Sequence, residues 1–120
     1  MKPKSTHSLK RVFSATRYSW QGLNAAFKHE AAFREEIILA AIMLPIAFWL
    51  DVTQVERILL VASVILVLVV ELINSAIEAI VDRIGPELHE LSGRAKDIGS
   101  AAVMLTMLLT GYTWLEIVFL

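Results

Sequence analysis

The sequence predicts an all-α membrane protein, with an amphipathic surface helix leading into three spanning helices, and three observations carry that reading. The first is composition: 57% of the 120 residues are hydrophobic, and the mean hydropathy of +0.64 lies above the range of soluble domains. The second is clustering, since the apolar residues gather into runs at roughly Ile37–Leu50, Ile58–Val81 and Ile98–Leu120. The third is charge asymmetry. Net charge is only −1, yet Lys2, Lys4, Lys10, Arg11, Arg17, Lys28 and Arg34 all precede or open the first run.

Residues 1–8 are polar, contain Pro3, show no periodicity and read as disordered. Residues 9–29 follow a helical period: Phe13, Trp20, Leu23 and Phe27 share one face, and Arg11, Arg17, Gln21 and Lys28 occupy the rest. Such a helix suits a membrane interface, although the same pattern would serve a helix packed on its own protein. Residues 30–120 form the membrane domain, with spans at about 30–50, 57–82 and 92–120. A span needs about 20 helical residues. Ile37–Leu50 falls short of that and reaches it only through Phe33 and Ala31, which brings in Arg34, Glu35 and Glu36. Pro45 is compatible with a membrane helix.

Asp51–Glu56 reads as a short external turn, and Gly85-Pro86 ends the second span, because proline lacks a donor and its predecessor avoids helical angles. Trp49 and Trp114 fall where indole anchors concentrate, and Glu116 can snorkel. With the cations placed inside, the N-terminus and the 83–97 loop are cytoplasmic, while Asp51–Arg57 and the C-terminus lie outside. The first 30 residues lack a signal-like apolar core, so the N-terminus is expected to be retained. The absence of cysteine excludes disulfides and thiolate metal sites.

The chemistry is expected on the middle span. Glu71, Asn74 and Glu78 are spaced to share one helical face inside an apolar run. A carboxylate at bilayer depth costs about 2.5–3.5 kcal/mol or more, so such a stripe faces protein, water or an ion. Glu71 and Glu78 are about 10.5 Å apart along the axis. That separation suits one deep carboxylate beside a reacting lipid group and one near the surface beside a metal. Further charged groups converge on the same side: Glu30, Arg34, Glu35 and Glu36; Asp82; Glu87, His89 and Glu90; Arg94, Lys96 and Asp97. Oxygen donors with an amide suit Mg²⁺, and Lys96 with nearby arginines could neutralise a polyphosphate. The plain alternatives are solvated interface charges for Glu30, Glu35, Glu87 and Glu90, and inter-helix glue for Asn74. No phosphate-binding Gly-rich loop, His-Arg-Asp loop or zinc-protease motif occurs, since position 93 is Gly.

The run Glu71-Leu-Ile-Asn74-Ser-Ala-Ile-Glu78, continuing through a short loop to Lys96-Asp97 and Ser100, closely resembles the prokaryotic diacylglycerol kinase family. Tyr18-Ser-Trp20-x-Gly22-Leu23 and Glu30-Ala-Ala-Phe-Arg34 match as well, while Pro86 and Leu88 replace an expected Ser and Tyr. The resemblance implies a homotrimeric inner-membrane kinase that transfers the γ-phosphate of MgATP to diacylglycerol, giving phosphatidic acid. On matching positions it implies Glu71 as catalytic base with Asn74 orienting the site, and Glu30 and Glu78 as Mg²⁺ ligands. It places Arg11, Tyr18, Glu30, Glu78, Glu87, His89, Lys96 and Asp97 at the nucleotide. It places Ala15, Trp20, Arg34, Trp49, Glu71 and Ser100 at the lipid. Nucleic acid is not an expected partner.

Two rival readings remain at this point. A kinase acting on undecaprenol would share the site and differ only in acceptor. A small proton- or cation-coupled transporter would use the acidic stripe but leave the basic surface helix and Lys96-Asp97 without a role.

Overall fold

The computed structural model describes residues 8–85 and 89–120. They form four α-helices: α1 Ser8–His29, α2 Ala31–Trp49, α3 Gln54–Ile84 and α4 Glu90–Trp114, the last running into a π-helical turn at Leu115–Phe119. Of the expected disorder at 1–8, residues 1–7 lie outside the described residues, as do the departures at Pro86 and Leu88, while Ser8 begins α1.

Each boundary has a local cause. The α1–α2 elbow is a single extended residue, Glu30 at φ −118 and ψ 108. Arg34, one turn into α2, turns its guanidinium back on that elbow and donates from Nη1 to the carbonyls of Phe27 and Lys28 at 2.8 and 3.0 Å. Those carbonyls end α1 without intrahelical partners, so a cation there satisfies them and complements the helix dipole. Arg57 repeats the device one helix later, donating to the carbonyls of Ala47, Leu50 and Val52 at the end of α2.

α3 starts at Gln54, three residues before the expected 57, which shortens the external turn. Thr53 accepts from Glu56 N at 3.2 Å while Glu56 Oε1 accepts from Thr53 N at 3.0 Å, a reciprocal capping box. At its far end α3 stops at Ile84, with Gly85 extended.

α3 is the central helix, flanked by α2 and by an antiparallel α4. Toward the Arg57 end its contact with α4 is polar. The single O–H of Thr110 is shared between Ser63 O at 2.9 Å and Thr106 O at 3.0 Å, and Trp114 Nε1 donates to Leu60 O at 3.2 Å. Trp114 therefore ties two helices together, beyond the anchoring role its place near a helix end suggested.

The molecule measures 52 × 44 × 21 Å. Three parallel-packed helices about 8–10 Å apart would not reach the second of these dimensions. α1, which packs on α2 and buries only Ala26 among its described residues, accounts for the excess. The radius of gyration of 17.7 Å likewise exceeds the roughly 14 Å of a compact chain of this length.

The buried apolar core is small: Ala26, Phe33, Ala40, Ala47, Leu60 and Val64. Most large apolar side chains lie on the outside. α3 and α4 each have the length and apolarity to cross a membrane, and the apolar window of α4 is only 11% buried within the chain. So much outward apolar surface requires lipid or partner subunits to cover it. α2 meets the length only with Arg34, Glu35 and Glu36 in its opening turns, leaving Ile37–Trp49 as its apolar part.

Candidate active site

The polar face of α3 turns inward. Glu71 and Asn74 are only 4% and 7% exposed, Ser75 is buried with them, and Glu78 is half-buried. Glu71 sits about 20 Å from the Ile84 end of its helix at 1.5 Å per residue, well inside the apolar stretch. Ser75 Oγ lies 3.5 Å from Glu71 Oε2, one turn along. Asn74 Nδ2 donates to Glu78 Oε2 at 3.4 Å, also one turn along. The same helical period that makes the stripe thus links it into two long hydrogen bonds.

Neighbouring helices close over this face. From α2, the Glu36 carboxyl stands beside that of Glu71, and its Oε1 is buried without a hydrogen-bond partner. Glu71 also feels the charges of Glu78 and Glu30. From α4, Gly99 lies against Asn74, whose Oδ1 is buried and unpartnered. One turn nearer the end of the bundle, Lys96 Nζ pairs with Asp82 Oδ1 at 2.9 Å and lies close enough to Glu78 to feel its charge. The result is a ladder: Glu71 with Glu36 at depth, Asn74 with Glu78 above them, and Lys96 with Asp82 at the exposed end.

Two cavities flank the ladder. An apolar one of about 190 Å³ runs from Glu36 between α2, α3 and α4 to Thr110 and Gly111. A wider cleft of about 750 Å³ separates α1 from α3, with Ser19, Gly22, His29 and Glu30 on one wall and Ser75 and Ala79 on the other.

The fold therefore gathers Glu30, Glu71, Asn74, Glu78 and Lys96. Other positions expected at the site are more dispersed. Arg11, Ala15 and Tyr18 are exposed on α1, where Arg17 lies 5.4 Å from the Tyr18 ring centre. Trp20 is 65% exposed on the opposite, apolar side of α1. Arg34 serves the backbone of the elbow, as described above. Trp49, 83% exposed, ends α2 about 22 Å from Arg34 along the helix. Asp97 and Ser100 are exposed on α4. His89 is the N-cap of α4, its Nδ1 accepting from Leu91 N at 3.0 Å. Glu87 lies outside the described residues.

Two participants went unassigned in the sequence. Glu36 was one of several charges near the first span. Its spacing with Phe33, Ala40 and Ala47, which all turn inward, is the signal that could have singled it out. Gly99 carries no chemistry of its own and becomes visible only when α4 is seated on Asn74.

Apart from Lys96, the ladder offers carboxylate and amide oxygens, the chemistry a hard cation requires, although no group of three metal-ligating side chains occurs among the described residues. One or two carboxylates with substrate phosphates suffice for Mg²⁺, so the donors present fit that ion when it arrives with a nucleotide.

Comparison with known proteins places this arrangement in context. A family profile described as prokaryotic diacylglycerol kinase matches residues 17–118. The diacylglycerol kinase of Escherichia coli strain K12 is 54% identical over 110 residues, covering 92% of this chain and 90% of the relative. That of Haemophilus influenzae is 52% identical over 114 residues, covering 95% and 97%. That of Pseudomonas aeruginosa is 49% identical, covering 95% and 93%. With matches this extensive, running from the surface helix through the acidic ladder to the last helix, the chain belongs to the prokaryotic diacylglycerol kinase family.

Proposed function

We propose that this protein is an ATP-dependent diacylglycerol kinase of the bacterial inner membrane, working as a homotrimer with its N-terminus and site on the cytoplasmic side. The observation that carries the reading is the inward-facing ladder from buried Glu71 to half-exposed Lys96. It spans the depth between a lipid hydroxyl and a water-borne triphosphate.

In the reaction, the primary hydroxyl oxygen of diacylglycerol attacks the γ-phosphorus, and the bond to the ADP oxygen breaks. The hydroxyl proton passes to the Glu71 carboxylate. A carboxylate held within hydrogen-bond reach of the acceptor hydroxyl can take up its proton as a general base. Phosphoryl transfer otherwise rests on positioning and on neutralising charge. Glu30 and Glu78 would hold Mg²⁺, which when bound shares the charge of the triphosphate. Asn74 steadies Glu78 through its amide, and Lys96 exchanges Asp82 for phosphate oxygens. Arg11, Tyr18, Glu87, His89 and Asp97 would complete the nucleotide side. Ala15, Trp20, Arg34, Trp49 and Ser100 would meet the lipid.

In this reading α2 crosses the membrane beside α3 and α4, and α1 rests its Leu9, Phe13, Trp20 and Phe27 face in the interface. Partner subunits would cover the apolar flanks and the cleft beneath α1, which a single chain leaves open.

The test is transfer of label from γ-labelled ATP by purified protein in mixed micelles. Labelled phosphatidic acid is the expected product. Transfer to undecaprenol alone would reassign the acceptor. Proton flux in liposomes without ATP consumption would replace the kinase with a transporter.

A further inference from the structure

We infer that Gly99 is a positioning residue for phosphoryl transfer, acting through Asn74 on Glu78; this rests on the assignment of Glu78 to the metal–nucleotide side. Of the glycines in described helices, only Gly99 has a neighbour where a side chain would begin. A Cβ there would clash with Asn74 Oδ1 and stand 3.2 Å from its Cγ. Gly22, Gly93 and Gly111 face open space at the same test. Glycine in a helix interior is destabilising by roughly 0.5–1 kcal/mol relative to alanine, so its use at a buried position needs a local reason.

The reason lies in the Asn74 amide. An amide can present either its oxygen or its nitrogen toward Glu78, and only the nitrogen donates. Here Oδ1 occupies the notch left by Gly99, where it is buried and has no conventional donor. The Cα–H groups of glycine are the weak donors that such close helix contacts supply. With the oxygen lodged there, Nδ2 is left facing Glu78 Oε2 at 3.4 Å. Glycine on α4 thereby sets which end of an α3 amide meets the carboxylate. A methyl at position 99 would drive Oδ1 out of the notch, and either the amide rotates or the helices part.

The experiment compares Gly99→Ala, Asn74→Ala and the double variant in mixed micelles. Turnover, the KM for MgATP and the KM for lipid are measured beside thermal unfolding, with Gly93→Ala as control. Gly99→Ala is expected to lower turnover or raise the KM for MgATP by about twofold to tenfold, the scale of one long hydrogen bond. The KM for lipid should be little changed. The double variant should be no worse than Asn74→Ala alone, since truncating Asn74 removes both the clash and the bond, and Gly93→Ala should match wild type. Losses that multiply in the double variant, or a Gly99→Ala defect confined to unfolding temperature, would overturn the inference. Full activity of Asn74→Ala would instead overturn the role given to the Asn74–Glu78 pair.

Discussion

Replacing Arg57 with methionine removes the clamp on the end of α2, and the cost follows from its geometry. Arg57 is half-buried, and Nη1 reaches Ala47 O at 2.6 Å and Leu50 O at 3.1 Å, while Nη2 reaches Val52 O at 3.4 Å. The first two distances lie within or near the normal range; the third contributes little. A bond from a charged donor nets about 1.5–3 kcal/mol, and a cation at a helix C-terminus adds about 0.3–1 kcal/mol. Water recovers part of this, because Asp51 and Thr53 beside the clamp are exposed. The expected net loss is about 2–4 kcal/mol. It is read by equilibrium unfolding in mixed micelles, titrating with SDS and following helical circular dichroism. Arg57→Lys should recover only part of the loss, since one ammonium cannot reproduce the planar fork. An unchanged unfolding midpoint for Arg57→Met, or full recovery by lysine, would refute the reasoning.

Three other outcomes are expected. Lys96→Met should leave unfolding within about 1 kcal/mol of wild type, because the pair with Asp82 is exposed and screened, yet raise the KM for MgATP; a large stability loss with normal KM would make the pair structural. Trp114→Phe should cost about 0.5–2 kcal/mol through the lost bond to Leu60 O, with little effect on nucleotide affinity, in the same unfolding titration. Glu30→Gln and Glu78→Gln should each shift the Mg²⁺ dependence of turnover to higher concentration, and an unchanged dependence would remove the ligand assignments.

The stripe of the middle span was legible because its spacing is local: residues three and four apart on a helix face together whatever surrounds them. Glu71, Asn74 and Glu78 could therefore be named before any neighbour was placed. What covers the stripe was not legible in the same way. Glu36 reaches Glu71, and Gly99 reaches Asn74, only through the seating of α2 and α4 on α3, which depends on interlocking side chains across helices. The start of α3 at Gln54, ahead of the expected span at about 57–82, has another cause: hydropathy locates apolar runs, whereas Thr53 and Glu56 begin the helix in polar sequence through hydrogen bonds. Arg34 and Arg57 show a further gap. Both were read by charge alone, as markers of orientation or of a lipid site, whereas their observed contacts are with backbone carbonyls that no hydropathy profile registers.

The central claim is that buried Glu71 takes the proton of the lipid hydroxyl, and Glu71→Gln tests it most directly. The amide keeps the shape of the carboxyl but cannot serve as the base, so label transfer from MgATP to diacylglycerol should fall by about 10²- to 10⁴-fold. MgATP affinity and helical content should remain near wild type. Near-normal transfer by the Gln variant would contradict the account.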